Sequence, residues 1–448
     1  MKQNEQPDLA VLGGGPAGMA VAWYARQAGL SFRVYEAEDR VGGNCITLER
    51  DGFLFDSGAH RLHDKDPETT AIVQALLGDK LRRIQVPSQI FRDQRFIDFP
   101  LSPLNLLRYL GLGGFARAGF QILGQKLRGK RSTANFRELA VGTYGSYIAE
   151  LFLLHYTEKL WGLAAEQLST EVAGKRLKGL NLKTFVLEAF RGKQRKTTHL
   201  DGAFYYPERG IGTIFEAMRD ACGPEHFALG HRISGIRHAQ GRVEAIQVNE
   251  ADWTPVNQLV CSLPLGLVLR LLQPAPPEEI LRRALSIRFR NVLLIGLFLD
   301  KPTVNPNGSM YFPDASVPFT RVYEPRNRSP KMAPPGQTSL LVEIPCQPED
   351  PIWQEEEKVA VETVIRHLTQ ADFFHPDELV GTSVYRIRNA YPILETGYRT
   401  KIEPIGAYLA QFKNLRMTGR NGLFAYSHIH DHLQNGRMIV TDLRDQLI

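Results

Sequence analysis

A short apolar run, Leu9-Ala10-Val11-Leu12, leads directly into Gly13-Gly14-Gly15-Pro16-Ala17-Gly18, and a stretch of helical character follows. About twenty residues later a second apolar run closes on Val34-Tyr35-Glu36. Strand, glycine turn, helix, strand and acid in that order restrict this part of the chain to an α/β nucleotide-binding unit. Gly13 permits the tight turn, and Gly15 lets the backbone approach a pyrophosphate. Gly18 lets helix and strand pack closely, and the helix start at Pro16-Ala17 leaves N–H groups free for phosphate oxygens. Glu36, with Ala37 beside it, is placed to accept hydrogen bonds from an adenosine ribose. The expectation is a bound dinucleotide.

The residues that follow narrow the choice of dinucleotide. Arg40-Val41-Gly42-Gly43-Asn44 supplies a second glycine turn, and Asp51-Gly52-Phe53-Leu54-Phe55-Asp56-Ser57-Gly58-Ala59-His60 follows soon after. An enzyme using only a nicotinamide cofactor has no need of that second turn. From Gly13 to His63 the chain resembles flavoproteins of the amine-oxidase superfamily, in which this segment runs under the flavin. The resemblance implies FAD, with NAD(P) as the alternative. It also implies an α/β fold with a Rossmann-like FAD-binding domain and a discontinuous substrate domain. Arg40, Gly42, Gly43, Asn44, Gly58, Ala59 and His60 would then belong to the cofactor site.

At 448 residues the chain can hold more than one domain. No stretch approaches the roughly 20 apolar residues of a membrane span, and the longest apolar run, Val292 to Leu299, is strand-sized. Met1 to Asp8 is polar, without the apolar core of a signal peptide. Cys45, Cys222, Cys261 and Cys346 stand far apart, which argues against a disulfide framework or zinc site and suits a reducing cytosol. A cytoplasmic location is expected.

The net charge of +6 is uneven. Arg108 to Arg131 holds six basic residues and no acid, among Leu, Phe and Ile; Lys175 to Lys196 holds eight and a single acid, Glu188. A solvated helical face explains such runs, as does an anionic small-molecule substrate or peripheral contact with an anionic membrane at its inner face. No recognition motif accompanies the charge, so nucleic acid is not expected as a partner.

Cofactor-type motifs recur in three separated stretches. Residues 1–78, 204–264 and 387–448 read as one discontinuous FAD-binding domain. It is interrupted by a mostly helical insertion, 79–203, and a β-rich substrate domain, 265–386. Apolar positions at helical period run through Leu104 to Leu127 and Phe136 to Trp161. Strands are expected at His231 to Ile236 (including Ile233, a cofactor-site candidate), Arg242 to Val248, Val292 to Leu299 and Ser339 to Ile344. Leu415 to Gly422 reads as a strand and turn that returns Gly419 and Arg420 to the cofactor.

Substrate-side motifs point to a narrower relation. Tyr156-Thr157-Glu158-Lys159-Leu160-Trp161-Gly162 followed by Arg176, Val317-Pro318-Phe319-Thr320-Arg321, Tyr391-Pro392, Gly419-Arg420 with Tyr426, and Gly58-Ala59-His60-Arg61-Leu62-His63 occur in the order found in the UDP-galactopyranose mutase family, which this chain resembles from residue 9 to about residue 432. The resemblance implies substrate binding by Tyr156, Trp161, Arg176, Arg321, Tyr391 and Tyr426, catalytic roles for His63, Arg176 and Arg321, and cofactor contacts from His428 and Asp431. It implies reduced FAD, with NAD(P)H or another donor as reductant, acting on a nucleotide- or diphosphate-linked sugar without net oxidation. Arginine forks and phenols suit a pyrophosphate-linked sugar. The alternative in the wider superfamily is oxidation of an amine, porphyrinogen or polyene. Tyr426-Ser427-His428-Ile429-His430-Asp431-His432 departs from the mutase pattern. Its alternating histidines fall where the last helix begins beside the cofactor, and no metal is expected there.

Overall fold

The computed structural model describes residues 7–127, 133–173 and 203–447. Five parallel strands form the nucleotide-side sheet, in the order Leu415–Met417, Gln258–Cys261, Leu9–Leu12, Phe32–Tyr35 and Phe227–Ala228. Leu9 to Leu12 are all buried because helices cover both faces of a parallel sheet. On one face Val11, Val34 and Val260 pack with Met19 and Ala20 of the helix Pro16–Gln27. The final helix, Ile429–Leu447, crosses the same helix at Gly436, where a Cβ would stand 2.8 Å from that of Ala20. On the opposite face Leu12, Leu259 and Cys261 pack with Val268, Leu269 and Leu409.

A second sheet has seven strands. Its order is Leu379–Pro392, Phe289–Leu299, Thr338–Cys346, Arg321–Tyr323, Ser309–Tyr311, Ser88–Arg92 and Arg95–Phe99. The segment 79–203, expected to be mostly helical, begins with strands before its helices. Leu81–Gln85, Ser88–Arg92 and Arg95–Phe99 are all strands, and the last two form a hairpin at the edge of this sheet. Asp93 and Gln94 both take positive φ, 50° and 57°, the conformation a two-residue hairpin turn requires. Neither is a glycine, so the usual turn signal is missing. Helices begin at Pro103–Leu127, broken at Gly111, and continue in Phe136–Ile148, broken at Gly145. A π-helical stretch, Ala149–Leu154, then leads into His155–Trp161.

The sheets also show how the segments share elements. The helices Leu265–Leu271 and Glu278–Ser286 contribute Leu265, Val268, Leu269 and Ala284 to the core under the nucleotide-side sheet. Leu272–Gln273 pairs with Ile236 and Arg237. Residues 265–286 therefore pack with the cofactor side, although the expected boundary lay at 264. Leu379–Pro392 likewise runs through the expected boundary at 386 as one strand. An apolar sequence pattern says that a segment is buried, but not against which sheet.

Candidate active site

The first glycine turn has the geometry that its sequence implies. Gly13 (φ 95°) donates to Tyr35 O at 2.8 Å, joining the ends of the two strands. A Cβ on Gly18 would stand 1.9 Å from Gly13 O, so only glycine fits there. A Cβ on Gly15 would meet only Gly43 Cα, at 3.7 Å. The second turn lies against the first: Gly42 donates to Gly14 O at 2.9 Å, and a Cβ on Gly43 would stand 3.0 Å from Gly15 Cα. Two backbones thus meet without side chains between them.

The other cofactor candidates surround this point. Glu36 accepts from Gly14 N at 2.6 Å and from Glu38 N at 2.9 Å, beside the exposed Ala37. His231 N donates to Glu36 O at 2.7 Å, which brings the strand Ile233–Ala239 and Ile233 to the acid. Gly419 (φ 81°) sits over the helix start, where its Cβ would be 3.4 Å from that of Ala17. Asn44 is exposed at the rim, and its carbonyl accepts from Ser57 Oγ at 2.8 Å. Arg40 donates to Tyr385 OH at 3.0 Å, bridging to the second sheet.

Several buried polar atoms in this region have no protein partner among the described residues: His60 Nε2, Thr418 Oγ1 and His432 Nδ1. Each needs a ligand or water to avoid an unpaired buried group. Together with the bare glycine cradle and the acid Glu36 beside it, they fit FAD. Burial, reinforced by Arg420, pulls both His60 and His432 down to about 3, so both imidazoles are neutral at pH 7. Stability from this source is complete above the unfolded-state pKa of about 6.5, and it declines as pH falls toward 3 because only the unfolded chain takes up protons. By pH 5 each histidine is expected to cost about 2 kcal/mol. Urea unfolding near pH 7.5 and pH 5 should show that loss, and His432→Asn should remove part of it.

Among the expected substrate residues, three aromatic rings form a triangle. Trp161 stands 6.2 Å from both Tyr391 and Tyr426, and those two stack at 6.3 Å. The Arg420 guanidinium lies over Tyr426 at 5.1 Å and over Tyr391 at 5.6 Å, held by Ala390 O and Ser427 O. Burial, then Glu343, pushes the Tyr391 phenol up to about 12, which keeps it a neutral donor. Tyr156 meets Tyr311 edge-on at 5.9 Å, and the phenols of Tyr391, Tyr311 and Tyr156 all face Arg321 electrostatically.

Lys159 explains why two distant motifs meet. From the helix His155–Trp161 its Nζ reaches the carbonyls of Phe312, Asp314, Val317 and Phe319 at 2.6–3.0 Å. The segment leading into Arg321 is thereby tied to the helix carrying Tyr156 and Trp161. Gly162 closes that helix with φ 72°; a Cβ there would meet the Arg290 guanidinium at 2.6 Å.

Arg321 is not an isolated fork awaiting an anion. Its Nε and Nη2 both donate to Glu343 Oε2, the first at 2.9 Å, while Glu343 Oε1 accepts from Ala59 N at 2.7 Å. Glu343 is thus a site residue that the motifs did not reveal. The available signal was a single acid inside the apolar run Ser339 to Ile344. His60 lies in the same corner: a Cβ on Gly58 would be 3.4 Å from His60 Nε2 and 3.7 Å from Glu343 Oε1, and Cys45 Sγ stands 3.8 Å from His60 Nδ1. His63, expected to be catalytic, sets its ring against Phe204 at 6.2 Å. His428 packs on Tyr426, and Asp431 accepts from His428 N at 2.8 Å where the last helix starts. Among the described residues no cluster of His, Cys, Asp or Glu is arranged to hold a metal. Arg176 lies outside the described residues.

Residues 16–438 match the model of the flavin containing amine oxidoreductase family. Protoporphyrinogen oxidase 1, chloroplastic, of Arabidopsis thaliana is 34% identical over 125 residues, 26% of this chain and 23% of that protein, so the chain matches about a quarter of that relative's length. A crystal structure of reduced UDP-galactopyranose mutase superposes with a TM-score of 0.85 at 20% identity, covering 98% of this chain and 93% of that one. Putrescine oxidase bound to putrescine superposes at 0.66 with 17% identity, covering 98% and 99%. At these identities the superpositions establish the shared fold. The chain belongs to the flavin containing amine oxidoreductases and is an FAD-dependent enzyme of that superfamily.

Proposed function

We propose that this enzyme acts on a nucleotide- or diphosphate-linked sugar in the manner of the mutase-like branch, in cell-surface polysaccharide or sugar metabolism. The observation that carries the reading is the cluster in which Tyr156, Trp161, Tyr391, Tyr426 and Arg321, drawn from four separate segments, come together with Arg420. Phenols, an indole and guanidiniums suit a polyhydroxylated, anionic ligand better than an aliphatic one. Bound FAD in its reduced form, reduced by NAD(P)H or another donor, would supply a nucleophilic centre for a reaction without net oxidation.

The chain's own tasks follow from the geometry. Trp161 and the stacked Tyr391–Tyr426 pair would wall the sugar, and the neutral Tyr391 hydroxyl would donate a hydrogen bond to it. Arg420, expected at the cofactor, stands over the Tyr391 and Tyr426 rings and would, with Arg176, meet the diphosphate, because Glu343 already neutralises Arg321. Arg321 would orient the Tyr156 and Tyr391 hydroxyls. Oriented donors of this kind stabilise a departing anion without reorganising at the moment of reaction.

A second reading rests on the same Arg321–Glu343 pair. A chamber whose arginine is already neutralised also accommodates an uncharged substrate, which favours oxidation of an amine, porphyrinogen or polyene. Incubating dithionite-reduced protein with a panel of nucleotide sugars, followed by product chromatography, separates the two. Isomerised sugar with the flavin still reduced is the expected result. No conversion, together with oxygen uptake on an amine or porphyrinogen, would replace the mutase reading with the oxidase one.

A further inference from the structure

The outer face of the helix Pro103–Leu127 plays no part in the site. Its inner face is ordinary core: Leu106, Ala118 and Ile122 are buried with Ile90, Ile97, Ile148 and Phe152. Gln121 Oε1 accepts from Tyr147 N at 2.9 Å and fixes the helix against its neighbour. The outer face, however, is apolar as well. Leu112 and Leu127 are each 82% exposed, Phe120 76% and Leu123 50%. Positions 112, 120, 123 and 127 recur at helical period, so the four side chains form one stripe. They lie beyond the break at Gly111, on a straight piece about 24 Å long. With Leu104, five of the twelve large apolar side chains exposed among the described residues sit on this one helix. Exposed apolar residues on a soluble surface are normally scattered singly.

Charge indicates what covers the stripe. From Phe99 to Phe136 the sequence carries six basic residues and no acid. Arg108 and Arg117 are exposed on this helix, Arg117 lying 4.7 Å above the Tyr147 ring. A second copy of the chain docked face to face would set Arg108 and Arg117 against like charges, whereas an anionic lipid surface complements both the stripe and these two arginines. Among the described residues no helix is long and apolar enough to cross a membrane. A helix with this outer face belongs in the interfacial plane.

We propose that the helix Pro103–Leu127 docks the protein onto an anionic bilayer surface, with Leu112, Phe120, Leu123 and Leu127 entering the headgroup–acyl boundary. Docking there brings the bilayer close to the candidate chamber. Phe99, under the helix, contacts Tyr311 at 5.0 Å, and Tyr311 contacts Tyr156. This inference holds whichever reaction the chamber performs.

Flotation of the flavin-loaded full chain with phosphatidylcholine vesicles, with and without phosphatidylglycerol, tests it. The wild type should float with the anionic vesicles, less so as salt is raised. A variant combining Leu112→Ser, Phe120→Ser and Leu123→Ser should bind at least about tenfold more weakly, with flavin content and melting temperature unchanged. Arg108→Gln with Arg117→Gln should weaken binding and flatten its salt dependence. The proposal is overturned if the wild type ignores anionic vesicles or if the serine variant binds as well as wild type. A wild-type dimer that the serine variant converts to monomer, without vesicle binding, also overturns it and assigns the face to a second copy.

Discussion

Gly15→Val is expected to produce a folded protein that has lost its flavin. The backbone at Gly15 has φ −73° and ψ −179°, which valine adopts readily, and a Cβ there meets only Gly43 Cα at ordinary contact distance. The added methyls would extend from the first glycine turn beside Gly43, at the helix N-terminus that a dinucleotide's pyrophosphate would face. Losing that contact and its charge-assisted hydrogen bonds should weaken FAD binding by at least about 100-fold, or roughly 2.7 kcal/mol. Gly18→Ala is the informative contrast. Its Cβ would overlap Gly13 O at 1.9 Å, so it should reduce both flavin content and soluble yield. Flavin absorbance per protein, with circular dichroism for folding, distinguishes the two. Normal flavin content in Gly15→Val would remove the pyrophosphate from this turn.

The contrast between these glycines shows what could be read from sequence. The turn, its helix and Glu36 were legible because local backbone requirements fix residue types at fixed spacing, and no distant contact is needed to recognise them. The aromatic triangle was legible only as ordered fragments: nothing in Tyr391-Pro392 indicates that its ring will stack on Tyr426. Lys159 makes the point more sharply. A lysine in a helix reads as a solvated charge, yet here it binds four carbonyls of a loop about 150 residues away. Those carbonyls have no sequence signature, so the interaction that brings Trp161 and Arg321 together could not be read from residue types. The hairpin Ser88–Phe99 was missed for a related reason. Its turn residues, Asp93 and Gln94, are held in positive φ by strand pairing and not by their own preference.

Breaking the Arg321–Glu343 pair is expected to have a large effect on stability. Glu343 is nearly fully buried and the Arg321 side chain is only 16% exposed, so removing either partner leaves a charge that water cannot reach. Arg321→Leu should cost about 3–5 kcal/mol, seen as a lowered urea midpoint, and Glu343→Gln a comparable amount. The amide oxygen introduced by Glu343→Gln would still offer Ala59 N an acceptor, so the backbone near His60 should hold. The double variant should recover at least about 2 kcal/mol relative to the sum of the single changes, because it leaves no unpaired charge. That recovery gives a folded protein with neither charge, in which the role of Arg321 in binding can be read apart from its role in folding. Titration of the double variant with a nucleoside diphosphate sugar, followed by flavin absorbance, should show weaker binding than wild type if, as proposed, Arg321 orients the phenols of Tyr156 and Tyr391. Strictly additive stability losses would mean that the two side chains do not pair in solution. Wild-type affinity in a stable double variant would make the pair a purely structural strut and leave substrate recognition to Arg420, Arg176 and the aromatic triangle.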